Sequence, residues 1–88
     1  MADPALRLNL NRLRTFEALA RLRSFTGAAR ELGVSQPAVT MQMRELEGYL
    51  GVPLVDRSQR RSVALTRDGE ILYGYATQVL GNAGEWVR

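Results

Sequence analysis

The chain has no cysteine, no histidine and no lysine. Without the first two there is no disulfide, no thiolate nucleophile, no imidazole base and none of the common zinc-ligand sets, so a metal would have to be held by carboxylates alone. No apolar run approaches the roughly 20 residues that cross a bilayer, and the start, MADPALRLN, lacks the continuous apolar core of a signal peptide. A cytoplasmic protein with no cofactor, no metal and no membrane partner is therefore expected. Eighty-eight residues at 45% hydrophobic can bury one modest core, enough for one domain with a protruding element, whereas a deep enzyme pocket is hard to build at this size.

What is present is arginine, which supplies all twelve basic residues. From Arg7 to Arg30 six arginines (7, 12, 14, 21, 23 and 30) stand against Glu17 alone, a local charge of +5. From Ser62 to Arg88 two arginines stand against Asp68, Glu70 and Glu85, a local charge of −1. Arg57, Arg60 and Arg61 form a separate knot. Clusters of this kind suit phosphate backbones, although a solvated helix face has the same composition.

Residues 1 to 8 show no periodicity and read as a disordered lead. Leu10, Leu13, Phe16 and Ala20 then follow helical spacing, widened by Leu19 and Leu22, with Asn9 placed as an N-cap, so a first helix is expected over about 10 to 22. Thr26 is the expected cap of a short second helix whose inner face is Ala28, Ala29 and Leu32. Gly33 stands where a helix stop needs a left-handed backbone, Val34 can plug the corner, Ser35 can cap the next helix, and Pro37 falls in its first turn, where a missing N–H costs nothing. Helix, three-residue turn with glycine, helix is the spacing of a helix-turn-helix. In the third helix Val39, Met43, Leu46 and Leu50 fall within about 40° of one another and form the buried stripe. Pro37, Thr40, Met41, Arg44 and Gly48 face the other way.

Gly51 and Pro53 end that helix. Two β-type runs follow, Leu54 to Asp56 and Ser62 to Leu65, joined by the arginine-bearing loop RSQRR, which reads as a basic wing. Thr66 can cap a last helix from about Arg67, with Asp68 and Glu70 at its positive end. Leu72, Ala76, Val79, Ala83 and Trp86 step 4, 3, 4, 3 along it and form a short coiled-coil seam for a second chain, while Tyr73, Leu80 and Val87 offer a neighbouring register. Gly74, Gly81 and Gly84 each weaken this helix by up to about 1 kcal/mol. The expected architecture is mainly α: a winged helix-turn-helix over 9–65, made of three helices and a two-stranded wing, then a linker and dimerisation helix over 66–88.

The chemistry that this arrangement can support is DNA reading. The free N–H groups and positive dipole end of the third helix can sit against a phosphate, and Ser35 and Gln36 project from the same end. Glutamine can pair with N6 and N7 of adenine, Thr40 offers a hydroxyl and a methyl, and Pro37 or Ala38 can touch a thymine methyl. Arg44 either reaches guanine or phosphate or is a solvated charge. Ser35 can be both cap and contact. Arg57, Arg60 and Arg61 suit backbone or narrow minor-groove contacts. Thr26 and Arg30 on the second helix join them as candidate backbone contacts, with an intrahelical or solvated role equally open for Arg30.

The stretch Asn9 to Leu72 resembles the N-terminal domain of LysR-type transcriptional regulators: LNRLRTFEALARLRSFTGAARELGVSQPAVTMQMRELEGYLGVPLVDR, then RSVALTRDGEIL. The runs S-F-T-x-A-A, V-S-Q-P-A-V-T and L-E-x-x-L-G-V-P-L occur in order and cover most of the chain. The resemblance implies base reading by Ser35, Gln36, Pro37 and Thr40 and a backbone contact by Arg57. It also implies a linker helix that pairs two chains, an effector-binding domain further on, and commonly a tetramer. The chain departs from the family pattern in three respects. Met41 stands where arginine or another polar residue is frequent, Val55 replaces the usual wing phenylalanine with a smaller plug, and the three glycines weaken the linker helix.

The resulting expectation is sequence-specific binding to double-stranded DNA as a homodimer, each recognition helix reading half of an imperfect inverted repeat. Two other readings differ from it in kind. A winged-helix module for protein contacts would tolerate loss of Gln36 and bind DNA weakly at any salt. A small enzyme would need paired carboxylates such as Glu45 and Glu47, which are two residues apart and do not face each other on a helix.

Overall fold

The structure, a computed structural model, describes residues 10–58 and 62–87, with side chains placed as far as residue 81. Helix α1 spans Leu10–Leu22, α2 Phe25–Leu32 and α3 Gln36–Leu50; strands β1 (Val55–Asp56) and β2 (Ala64–Leu65) follow, and α4 runs Arg67–Val87. The two strands pair antiparallel, Val55 opposite Leu65 and Asp56 opposite Ala64.

The helices form because their apolar residues recur on one face. Phe16 and Leu19 of α1, Ala28 of α2 and Val39, Met43 and Leu46 of α3 meet in one core, closed from the wing side by Leu54 and Val55. Each of the larger side chains contributes about 1.5–3 kcal/mol by leaving water. Ala28 and Ala29 lie where α2 meets its neighbours, and their small size lets the three helices close in. The stripe of α1 is shorter than its sequence pattern, since Leu10 is 61% exposed and Leu22 is also exposed. Both are end residues with neighbours on one side only. Val55, expected as an undersized plug, is buried in the core.

The turns follow their capping chemistry, with one correction. Ser24, not Thr26, caps α2, its Oγ accepting from Gly27 N at 2.8 Å. Helix α2 begins two residues earlier than a Thr26 cap allows because extended Ser24 already presents an acceptor to the first turn. Gly33 adopts φ 71° at the end of α2, and Ser35 caps α3 by accepting from Ala38 N at 3.2 Å. Val34 does not plug the corner. It is 40% exposed, and its backbone N–H, which donates to the Ala29 carbonyl at 3.0 Å, closes the turn instead. The expected Asn9 cap lies outside the described residues.

Helix α4 is continuous from Arg67 to Val87 despite its glycines. Its start is fixed by two contacts to the segment that leads into β1 and by one cap bond within the helix. Thr66 N donates to Leu54 O (3.0 Å), Thr66 Oγ1 donates to Pro53 O (2.7 Å), and Thr66 Oγ1 accepts from Gly69 N (3.0 Å). A Cβ on Gly69 would lie 2.2 Å from the Leu54 carbonyl oxygen, so only glycine permits this approach. Beyond it Leu72 and Tyr73 pack on the core, Ala76 is fully buried, and α4 rests on α1.

The two kinds of glycine in α4 make opposite predictions. Gly69→Ala should lower stability by about 1–3 kcal/mol through overpacking against backbone. Gly74→Ala, where an added Cβ meets nothing within 4 Å, should raise it by up to about 1 kcal/mol. Urea unfolding of the two variants checks this; shifts of the same sign would refute the assignment.

Candidate nucleic-acid interface

The outer face of α3 is built by its cap. Ser35 anchors the first turn, Pro37 fixes the backbone there, and the residues on the side away from the core come to the surface. Gln36, Pro37, Thr40, Met41, Arg44 and Glu45 line one shallow groove along the helix. Four of the six expected base-reading residues are thus brought together. Ser35 stands at the helix end with its oxygen accepting the cap bond, which leaves its hydroxyl proton to donate outward. Ala38 is half-buried and takes no part in the groove.

A second cleft runs between the first turns of α2 and α3 and the wing, with Arg23, Thr26, Gln36, Asp56, Arg57 and Ser62 among its walls. Gln36 borders both depressions. The Thr26 hydroxyl lies 3.4 Å from Gln36 Oε1 and donates toward it, so the residue expected to touch backbone also holds the glutamine. Arg30 is exposed on α2 and, like Arg14 and Arg44, has no ion pair among the described residues.

Arg57, expected at the DNA backbone, and two arginines of the basic stretch, Arg12 and Arg21, are engaged within the protein. Arg57 donates to Glu47 through both terminal nitrogens, Nη1 to Oε2 at 3.2 Å and Nη2 to Oε1 at 2.9 Å. Glu47 Oε2 also accepts from Leu54 N (2.7 Å) and Val55 N (3.1 Å). One carboxylate on α3 therefore clasps the wing by its first strand and its arginine. Burial pushes the Glu47 carboxyl up, but the Arg57 guanidinium and the two backbone N–H groups outweigh it and hold the group below the ordinary carboxylate range. Arg21 bridges Glu17 (2.9 Å) and Glu31, which raises its own pKa further and lowers that of Glu31. Arg12 pairs with Glu45 across α1 and α3 at 3.2 Å. Arg60 and Arg61 lie outside the described residues.

The structural roles of four residues were not read from the sequence. Arg23 takes a left-handed backbone, φ 56°, to turn the chain out of α1, and its Nη1 donates to the Val63 carbonyl at 3.2 Å, tying that turn to the wing. Its neighbour in sequence is serine, not the glycine that advertises such a turn. Glu47 and Gly69 act on partners far along the chain. Thr15, buried in α1, is hydrogen-bonded to the side-chain amide of Gln42 on the flank of α3, which fixes the roll of that helix. At the wing, Asp56 Oδ1 accepts from Ser58 Oγ (2.6 Å) and Ser58 N (3.0 Å); both bonds lower the Asp56 pKa and turn the chain.

The expected dimer seam divides. Ala76 is fully buried and Leu72 half-buried against the chain's own core, because the first turns of α4 rest on α1. Val79 is exposed. So are Ile71 and Tyr75, which stand 8 and 4 residues before it. The side chains of Ala83 and Trp86 lie outside the described residues.

Three helices, a tight turn into a capped outer helix, and a two-stranded wing held beside that helix define a winged helix-turn-helix. The family model for the bacterial regulatory helix-turn-helix protein, lysR family, matches residues 10–70, and the chain belongs to that family. It is 47% identical over 74 residues to the transcriptional regulator PtxR of Pseudomonas aeruginosa and 42% identical over 72 residues to the regulator CbbR of Rhodospirillum rubrum. These matches cover 84% and 82% of this chain but 23% and 24% of those proteins, so the chain spans about a quarter of the length of these relatives. Among solved structures, the BenM DBD/catB site 1 DNA complex matches with a TM-score of 0.82 at 38% identity, covering 90% of this chain and 88% of that one. The oxidised form of Corynebacterium glutamicum OxyR matches with a TM-score of 0.80 at 37% identity, covering 90% of this chain and 25% of that one. No helix among the described residues is long and apolar enough to cross a membrane.

The clasp predicts a specific acid response. Glu47 has a lowered pKa in the folded state, so its contribution is complete above the ordinary carboxylate range, near pH 4.3, and is lost as pH falls through the lowered value. Glu47→Gln keeps an acceptor for Leu54 and Val55 but loses the charge. Chemical denaturation should find it less stable at neutral pH, with the gap closing as pH falls from the ordinary carboxylate range through the lowered folded-state value. A gap that stays constant on acidification would refute the charge-based clasp.

Proposed function

We propose that this chain binds double-stranded DNA in a sequence-specific manner as the DNA-binding segment of a LysR-type transcriptional regulator. The observation that carries the reading is the groove on α3, where Gln36, Pro37, Thr40 and Arg44 converge beside a capped helix end and a clasped wing. Gln36 and Thr40 address base edges in the major groove, the α3 N-terminus and the Ser35 hydroxyl meet a phosphate, and Thr26, Arg30 and Arg44 stand near the same backbone. Arg57, Arg60 and Arg61 extend the wing to backbone or minor groove, Arg57 turning from Glu47 or sharing its donors between carboxylate and phosphate. The BenM DBD forms a complex with catB site 1 DNA, and a resemblance at 38% identity supports a similar docking here.

The protein performs no chemistry of its own in this reading, and it works in the cytoplasm. The related proteins named above are regulators, which supports a binding role. The chain is laid out as a lead over 1–8, a winged helix-turn-helix over 9–65 and a linker helix over 66–88, whose first turns share the core of the domain. Two copies pair through the outer face of that helix, with Ile71, Tyr75 and Val79 taking the place of the expected Leu72 and Ala76, and Ala83 and Trp86 continuing the contact. In the full-length regulator, effector sensing and tetramer assembly belong to segments outside these residues.

Fluorescence anisotropy on duplexes selected from a random pool tests the reading. Gln36→Ala should erode discrimination between selected and random duplexes by about 1–3 kcal/mol while leaving random-sequence affinity nearly unchanged. Equal losses on both would defeat base reading by Gln36.

The dimer face has its own check. Tyr75→Glu should weaken self-association in sedimentation experiments at least about tenfold with little change in melting temperature, since it places a charge in an apolar contact. Ala76→Glu should instead unfold the domain. A folded, fully dimeric Tyr75→Glu protein would exclude this face.

A further inference from the structure

Met41 is 56% exposed, on the outer face of α3, in the groove it shares with Pro37, Thr40 and Arg44. A single exposed apolar side chain is ordinary on a protein surface; what distinguishes this one is its place in the groove next to a second exposed apolar residue, Pro37. It is not held by the core, whose α3 members are Val39, Met43 and Leu46. It lies four residues beyond Pro37, about 6 Å further along the helix, roughly two base steps. Pro37 and Met41 therefore form an apolar line through a groove whose other members, Gln36, Thr40, Arg44 and Glu45, carry hydrogen-bonding groups.

We infer that Met41 is a specificity-determining residue that reads a thymine methyl group in the major groove. The inference rests on the proposed docking of α3 and adds a position to it. A methionine side chain has no donor and only a weak acceptor, so against a base edge it removes water without replacing its hydrogen bonds. That disfavours every base whose edge is wholly polar at the contacted point. Thymine alone among the four presents an apolar group there, its C5 methyl. The three rotatable bonds of methionine let the side chain reach that methyl, and the neighbouring Arg44 holds the helix to the duplex through charge. Thr40, one position earlier, reads by its hydroxyl, so adjacent residues divide polar from apolar readout.

The test uses this 88-residue chain and a duplex it enriches from a random pool, with each thymine replaced in turn by deoxyuridine, which removes the methyl alone. For the wild-type protein, one replacement per half-site within the reach of α3 should weaken binding about 3–5-fold, the worth of one buried methyl group. Met41→Ala should bind the parent site weaker by a similar factor and be indifferent to that same replacement. Met41→Leu, which keeps the apolar contact, should retain the sensitivity. Placing 5-methylcytosine in a site where cytosine stands at that position should restore part of the affinity for wild type and none for Met41→Ala. If wild type and Met41→Ala respond alike to every replacement, Met41 reads no methyl, and DNA reading by Gln36 and Thr40 stands without it. A pool from which no site is enriched overturns the docking itself and this inference with it.

Discussion

Glu47 receives four hydrogen bonds within one turn of the end of α3, two from buried backbone N–H groups of Leu54 and Val55 and two from the Arg57 guanidinium. A buried donor left unmet costs about 1–3 kcal/mol, so the wing has one inexpensive position relative to α3, the one in which this carboxylate meets both N–H groups. Everything placed by the wing inherits that position. Leu54 and Val55 enter the core only because the chain leaves α3 at this angle, and the Leu54 carbonyl then receives Thr66 N and sets the start of α4. Reading helix, wing and linker helix are in this way referred to one side chain. A rigid relation between them matters because a winged helix contacts a duplex at two separated places, and loss of register at either wastes the other.

The internal engagement of the arginines changes how the charge of the chain should be understood. The local charge of +5 between Arg7 and Arg30 suggested an electrostatic footprint. Within it Arg12 and Arg21 are paired with glutamates, and Arg23 is spent on a backbone carbonyl. Exposed ion pairs of this kind contribute about 0–1 kcal/mol each, so their value lies in position more than in stability. Arg12 and Glu45 span α1 and α3 near the edge of the reading groove, which leaves Arg44 as the groove's unpaired guanidinium. The unpaired charge is consequently sparser than the composition implies: among the described residues it includes Arg14, Arg30 and Arg44, one on each of α1, α2 and α3.

Most of the architecture was legible because it rests on local chemistry. Gly33 and Ser35 mark the turn by backbone freedom and capping, the 3.6-residue period marks three buried faces, and Gly51 and Pro53 mark the end of α3. The outward-facing residues of α3 were legible for the same reason, since they are whatever lies opposite Val39, Met43 and Leu46. Errors arose wherever a residue's partner is distant in sequence. Thr26 and Ser24 are both competent caps, and the choice depends on the backbone of Ser24 after the left-handed Arg23. Leu72 and Ala76 sit on a periodic stripe that suits a second chain as well as α1, and periodicity cannot say which surface arrives first. Gly69 reads as a weak helix residue until Leu54 is seen against it.

That ambiguity in α4 has a physical resolution that bears on how two domains would face each other. A helix can carry two apolar stripes, and those of α4 are adjacent: Leu72 and Ala76 face the domain, while Ile71, Tyr75 and Val79, centred about 80° round the wheel, face outside. The two stripes are rigidly related because they share one helix. The Gly69 contact and the burial of Ala76 fix the inner stripe to α1. Any partner held on the outer stripe would therefore have its own α3 at a set distance and angle from this one. In such an assembly the spacing of two recognised half-sites is a property of α4 packing, carried by residues that touch no base. A glycine that admits a carbonyl and an alanine that admits a neighbouring helix would then govern which spacings of DNA can be bound, while Gln36, Thr40 and Met41 govern which bases.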